Sequence, residues 1–146
     1  MEKEKPQSLD NHTRLVPAFH LFVLPVLLVN FVWSFFALRH GVRFGSVFGV
    51  LLAAALLTLA LCARTFALTV QDRVIRLEMR LRMAELLPMD LKGKINDFTV
   101  GQLVGLRFAC DAELPDLARR VLDERIKDRA AIKKLVKTWR PDYLRA

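Results

Sequence analysis

The chain has 146 residues, 53% of them hydrophobic, and its 23 Lys/Arg against 15 Asp/Glu leave a net charge of +8. The length would allow one ordinary soluble domain, but the apolar residues crowd between Leu15 and Ala63, which excludes a single core spread evenly along the chain. A basic chain contacts anionic lipid or nucleic acid. Because two long uncharged apolar runs have no use in a soluble nucleic-acid binder, lipid is the simpler partner.

Residues 1–14 form a polar N-terminal segment carrying Lys3, Lys5 and Arg14. From Leu15 to Leu38 there is no Asp, Glu, Lys or Arg. As a helix rising about 1.5 Å per residue, this run is about 36 Å long, enough to cross a hydrocarbon layer of about 30 Å with some tilt. It is too long for a signal-peptide core, its N-terminal flank mixes acids with bases, and no small-residue cleavage site follows, so an uncleaved anchor is expected. Pro17 suits a first helical turn, and Pro25 predicts a kink. His20 and Asn30 are the polar residues of this run, with Asn30 near its middle and suited to an interhelical hydrogen bond. No carboxylate lies in either run to complete a proton relay.

Arg39-His40-Gly41-Val42-Arg43 connects to a second uncharged run, Phe44 to Ala63, so that residues 15–63 read as a transmembrane helical hairpin. Gly41, Gly45, Gly49 and Ala53 recur at every fourth position, where missing side chains let another helix approach closely. Both the first span and a second copy of the chain would fit that face. Lys and Arg near the span ends set orientation: three precede the hairpin, two lie in its loop, and Arg64, Arg73, Arg76, Arg80 and Arg82 follow. Both termini are therefore expected on the cytoplasmic side.

No Gly or Pro occurs from Arg64 to Leu87, and Pro88 closes the run, which predicts a stalk helix over 64–88 continuing the second span. Val70, Val74, Leu77, Leu81 and Ala84 recur at alternating four- and three-residue steps and read as its apolar seam. Arg73, Arg76 and Arg80 form a neighbouring basic stripe that reads as a solvated face anchoring the helix at anionic headgroups, with a self-associating stalk as the alternative. Asp72 with Arg76, and Glu78 with Arg82, are spaced for pairing along the helix.

Residues 89–146 read as a small basic helical region that follows a loop at Met89–Phe98. Thr99 with Gln102 is a capping box before Leu103 and Leu106. Asp111 is placed to cap a second helix bearing Leu114, Leu117, Val121 and Leu122, and Asp111, Glu113 and Asp116 read as acids complementing its dipole. Asp128 is placed to cap a third helix with Ile132, Leu135, Val136 and Trp139 on one face, ended by Arg140-Pro141. Lys133, Lys134, Lys137 and Arg140, with Trp139 and Tyr143, make the best basic candidate surface: a lipid-headgroup contact, an acidic protein partner, or a helix-turn-helix imitation that binds nucleic acid. No catalytic constellation is present. Gly101 and Gly105 are a small-residue pair in a helical pattern and form no phosphate loop, the histidines are scattered, and Cys62 and Cys110 have no metal spacing.

Gln7-Ser8-Leu9-Asp10-Asn11-His12 before the hairpin, Gln102-Leu103-Val104-Gly105-Leu106-Arg107-Phe108-Ala109, Glu113-Leu114-Pro115, Ile132-Lys133-Lys134 and Trp139-Arg140-Pro141-Asp142-Tyr143 give the chain an order of parts that resembles a family of short bacterial membrane proteins classed as a domain of unknown function. The resemblance covers nearly the whole chain. It implies a bacterial inner-membrane location and carries no activity. The fold expected is all-α: a transmembrane helical hairpin, a stalk helix and a cluster of short helices. The function expected is a non-enzymatic membrane protein that presents a cytoplasmic helical interaction module, with a membrane-tethered nucleic-acid binder as the alternative. Neither cofactor nor small-molecule substrate is expected, while a homo-oligomer or a larger membrane complex is.

Overall fold

The computed structural model describes residues 15–142, and among them the protein is all-α. The N-terminal segment and Tyr143 lie outside the described residues. The chain divides into two units, Arg14–Leu68 and a second built mainly from Thr69–Ala146.

The first unit contains a π-helical turn, Ala18–Val23, running directly into α1, Leu24–Arg39, and the beginning of α2, Phe44–Leu86. Pro25 sits in the first turn of α1. It has no N–H to donate to the preceding turn, and its ring crowds the carbonyl there. Just before Pro25 the helix is wound as a widened π turn. Ala18–Arg39 and α2 are each long and apolar enough to cross a membrane. Their apolar side chains point outward: Trp33 is 72% exposed and Phe44 88%. Ala53 is buried, whereas nothing lies within 4 Å of where a Cβ would stand at Gly45 or Gly49. Gly41 is not on the α2 face at all. It lies in the connection at φ +129°, a conformation open to glycine and strained for other residues.

The second unit has a core of its own. The C-terminal part of α2 contributes Ile75, Met79 and Met83 to it, and Leu87 adds to it just past the helix end. Pro88 stops α2, because the residue before a proline is pushed out of helical conformation. The segment expected as a loop is instead wound into α3, Met89–Lys92, and a 3-10 turn, Ile95–Asp97, which bring Leu91 and Phe98 into the core. Next comes α4, Val100–Leu106, with the expected capping box: Thr99 Oγ1 accepts from Gln102 N, and Thr99 N donates to Gln102 Oε1 at 2.8 Å. Buried Gln102 also donates its amide to Ile126 O at 2.9 Å, tying α4 to the turn after α5.

Helix α5, Leu114–Asp123, starts at Glu113 and not at Asp111, so the expected cap is corrected. It ends in a paired turn: Arg125 N donates to Leu122 O and Ile126 N to Val121 O, with Arg125 at φ 51°. This left-handed position is where helices ordinarily carry glycine. Replacing exposed Arg125 with Gly should therefore stabilise the unit by about 0.5–1 kcal/mol, relief of left-handed strain outweighing the added backbone entropy. A thermal midpoint equal to or below the parent's would show that Arg125 is at ease there. Helix α6, Arg129–Leu135, is capped as expected, Asp128 accepting from Ala130 N and Ala131 N. Those bonds favour the ionised carboxylate and hold Asp128 below the ordinary aspartate value.

The apolar seam of α2 stays uncovered within the chain, and the face expected on α6 is overturned. The seam Val70, Val74, Leu77, Leu81 and Ala84 is exposed, and the buried face of α2 is Ile75, Met79 and Met83. Both sets have helical spacing, and the C-terminal helices cover only the second. Helix α6 stops at Leu135, so Lys137, Trp139 and Arg140 are not helical. That segment instead runs antiparallel to residues 108–110, Cys110 N donating to Thr138 O at 3.1 Å and Arg140 N to Phe108 O at 2.7 Å.

Candidate functional site

The most concentrated polar chemistry of the second unit lies in a cleft of about 540 Å³ between the C-terminal part of α2 and the segments 107–111 and 140–142. Arg82 lies at its centre. Its Nε donates to Asp111 Oδ1 at 2.7 Å, one terminal nitrogen donates to Ala109 O at 2.6 Å, and the other to Arg107 O at 3.2 Å. The Arg82 side chain is 14% exposed and that of Asp111 58%. Arg140 reaches the same Asp111 oxygen at 3.1 Å. The hydrogen bond from Arg82 holds the Asp111 carboxyl below its ordinary value, with the charges of Arg82 and Arg140 acting in the same direction. The mostly buried Arg107 pairs with Asp142 at 3.3 Å and lies over the Phe108 ring, 4.6 Å from its centre.

Of the three acids expected at the start of α5, Asp116 lies in the first turn of the helix, and Asp111 and Glu113 hold other segments. Asp111 forms the ion pair just described. Glu113 accepts from Lys137 N at 2.9 Å and Thr138 N at 3.0 Å, pinning the extended segment after α6. Asp90 on α3 takes an ion pair from Arg119 on α5 at 2.7 Å, and that hydrogen bond lowers its carboxyl. These partners are far apart in sequence, and local spacing carries no signal for them. The local pair read at Glu78 and Arg82 is not made, because Arg82 turns to Asp111.

The basic residues singled out in the sequence divide into separate groups. Arg73 and Arg76 are exposed on α2 and Arg80 is half-buried, its Nε without a hydrogen-bond partner among the described residues. Lys133 holds its ammonium 5.1 Å from the centre of the Phe108 ring. Lys134 and Lys137 are exposed and Arg140 is paired to Asp111. Trp139 packs on Phe108, ring centres 4.8 Å apart, and is a core contact of the unit. The structure therefore does not gather Lys133, Lys134, Lys137 and Arg140 on one helical face.

In the first unit Asn30 is exposed on α1 and lines a shallow depression with Pro25, Val26, Val29 and Trp33. Ser34 Oγ donates to the Asn30 backbone carbonyl at 2.8 Å. Among the described residues, no three His, Cys, Asp or Glu side chains gather as a metal site. The cleft groups are charge pairs locked to one another and to backbone carbonyls, an arrangement that clamps segments together.

No curated protein and no solved structure is significantly similar to the chain. A family model does match, over residues 1–146, and the chain belongs to that family of unknown function, DUF6526.

Proposed function

We propose that this is a non-enzymatic integral membrane protein of the bacterial inner membrane, with two spans and both termini cytoplasmic, presenting a helical module to a partner. One contrast carries the reading. The side chains of Ala18–Arg39 and of the apolar part of α2 are nearly all uncovered, while the helices after α2 enclose a core of their own. An apolar helix exposed all round in water is costly, and the same helix in hydrocarbon is at home. The arginine bias of the flanks supports the orientation. The second unit is then a folded module held near anionic headgroups, with Arg73 and Arg76 free to face them. Its charged cleft is braced internally, which favours a structural part over a catalytic one.

The test is thiol labelling in intact cells, on a chain with Cys62 and Cys110 replaced by Ala. Val42→Cys, in the exposed connection, should react with a membrane-impermeant reagent, and Lys137→Cys should react only after lysis. Labelling of the Lys137→Cys chain from outside, or recovery of the protein in the soluble fraction, would overturn the reading.

A further inference from the structure

The seam left exposed on α2 has an order that a solvated face does not need. Val70, Val74, Leu77 and Leu81 are 60%, 47%, 60% and 61% exposed, and Ala84 continues their four–three spacing. In a heptad, Val74 and Leu81 take position a, while Val70, Leu77 and Ala84 take position d. The flanking g positions are then Arg73 and Arg80, and the flanking e positions are Glu78 and Glu85. All lie on one helix, and none of these four charged residues makes an ion pair within the chain among the described residues. In a parallel coiled coil, a g residue faces the e residue five positions later on the other helix. Arg73 would meet Glu78 of a second copy and Arg80 would meet its Glu85, and each pair occurs twice by symmetry.

We propose that a second copy of this chain covers the seam, forming a parallel, in-register two-stranded coiled coil over residues 70–84. The charges select the direction, since antiparallel strands would set g against g and e against e, Arg against Arg and Glu against Glu. Val74 at a and Leu77 at d are the pair that favours two strands, while the strand direction rests on the charges. The opposite face of α2, Ile75, Met79 and Met83, is already occupied by the chain's own helices, so the seam stays available without unfolding the module. The inference rests on the membrane reading in one respect: two copies anchored in one bilayer in the same orientation hold their seams parallel and at equal height, which raises their effective concentration.

The test uses the full chain in native membranes, with Cys62 and Cys110 replaced by Ala. Under mild oxidation, Val70→Cys and Leu77→Cys should each give a disulfide-linked dimer, because d positions of such a pair meet across the axis within the reach of about 7 Å between Cα atoms that a disulfide requires. Arg76→Cys, at exposed position c, faces away and should give at least about tenfold less, being outside that reach. A differently tagged pair of chains then tests the charges, both carrying Leu77→Cys. Each of the two, one with Glu78→Arg and Glu85→Arg, the other with Arg73→Glu and Arg80→Glu, should dimerise poorly alone and cross-link preferentially to the other when co-expressed. Val70, Arg73, Leu77, Glu78 and Glu85 are exposed and Arg80 is half-buried, so thermal unfolding of each charge variant in detergent is compared with the parent to confirm that the module still folds. Equal cross-linking from Leu77→Cys and Arg76→Cys, or charge variants that show no preference for each other, would sink the coiled coil. Thiol labelling of Val42→Cys in the same cells reads the membrane orientation separately, so failure of the seam and failure of the anchoring are told apart.

Discussion

Replacing Gly105 with Leu is expected to cost the second unit about 3 kcal/mol or more, enough to release α6 from α4. A Cβ at this position would stand 2.9 Å from both Cβ and Cγ2 of Ile132 and 3.3 Å from Arg129 O. Ile132 is fully buried, and its Cβ is fixed to the α6 backbone and cannot swing aside. Overpacking therefore has to move the helix itself. The helix-propensity gain from losing a glycine, about 1 kcal/mol, is too small to offset this. Gly101, four residues earlier on the same helix, supplies the control. Its nearest neighbour, Lys127 O, would lie 3.8 Å from a new Cβ, so Gly101→Ala should be neutral or stabilising by up to about 1 kcal/mol. The measurement is thermal unfolding of the full chain in detergent, carrying Trp33→Phe so that fluorescence reports on Trp139 at the Phe108 contact. Equal midpoints for the Gly105→Leu chain and the parent would mean that α4 and α6 do not touch at this point.

Replacing Arg82 with Met keeps the apolar stem and removes the group that joins α2 to the 107–111 segment. Two backbone carbonyls, of Arg107 and Ala109, lose their charged donor, and Asp111 keeps only Arg140. Hydrogen bonds to a charged donor support a cost of roughly 2–3 kcal/mol, with the contribution of half-exposed Asp111 discounted for solvent screening. For a unit of this size the midpoint should fall by roughly 10 °C. Arg76→Met, at an exposed and unpaired arginine, should stay within about 0.5 kcal/mol of the parent. Acid dependence gives an independent check. A carboxyl lowered in the folded state stabilises above its unfolded pKa, and that contribution is lost as pH falls through the folded value. The parent should therefore lose stability on acidification below the ordinary aspartate range, and Arg82→Met should show a smaller loss over the same interval. An unchanged acid profile in the Arg82→Met chain would mean that Asp111 is not held by Arg82.

What could be read in the sequence was what neighbouring residues decide among themselves. Two uncharged runs predict two apolar helices, Pro88 ends α2, the Thr99–Gln102 box starts α4 and Asp128 starts α6. Each of these rests on groups within about one helical turn, where backbone hydrogen bonding and proline sterics act. The choice of buried face on α2 was of another kind. That helix carries two apolar stripes, Val70–Val74–Leu77–Leu81 and Ile75–Met79–Met83, both spaced for a helix, and periodicity ranks neither above the other. Only the packing of α3 to α6 buries the second and leaves the first open. The end of α6 was decided in the same way. Nothing between Leu135 and Pro141 breaks a helix by its own chemistry, but Glu113 takes the amides of Lys137 and Thr138, Phe108 O takes that of Arg140, and Cys110 N donates to the Thr138 carbonyl. Asp111 could cap a helix locally, yet Arg82, 29 residues away, offers a charge-assisted bond to an ionised carboxylate, a stronger partner than a backbone amide. The sequence by itself determined where helices begin and which runs are apolar, because those follow from short-range forces. The tertiary structure decided which faces are covered and which charges meet, because those depend on contacts between residues that only the folded chain brings together.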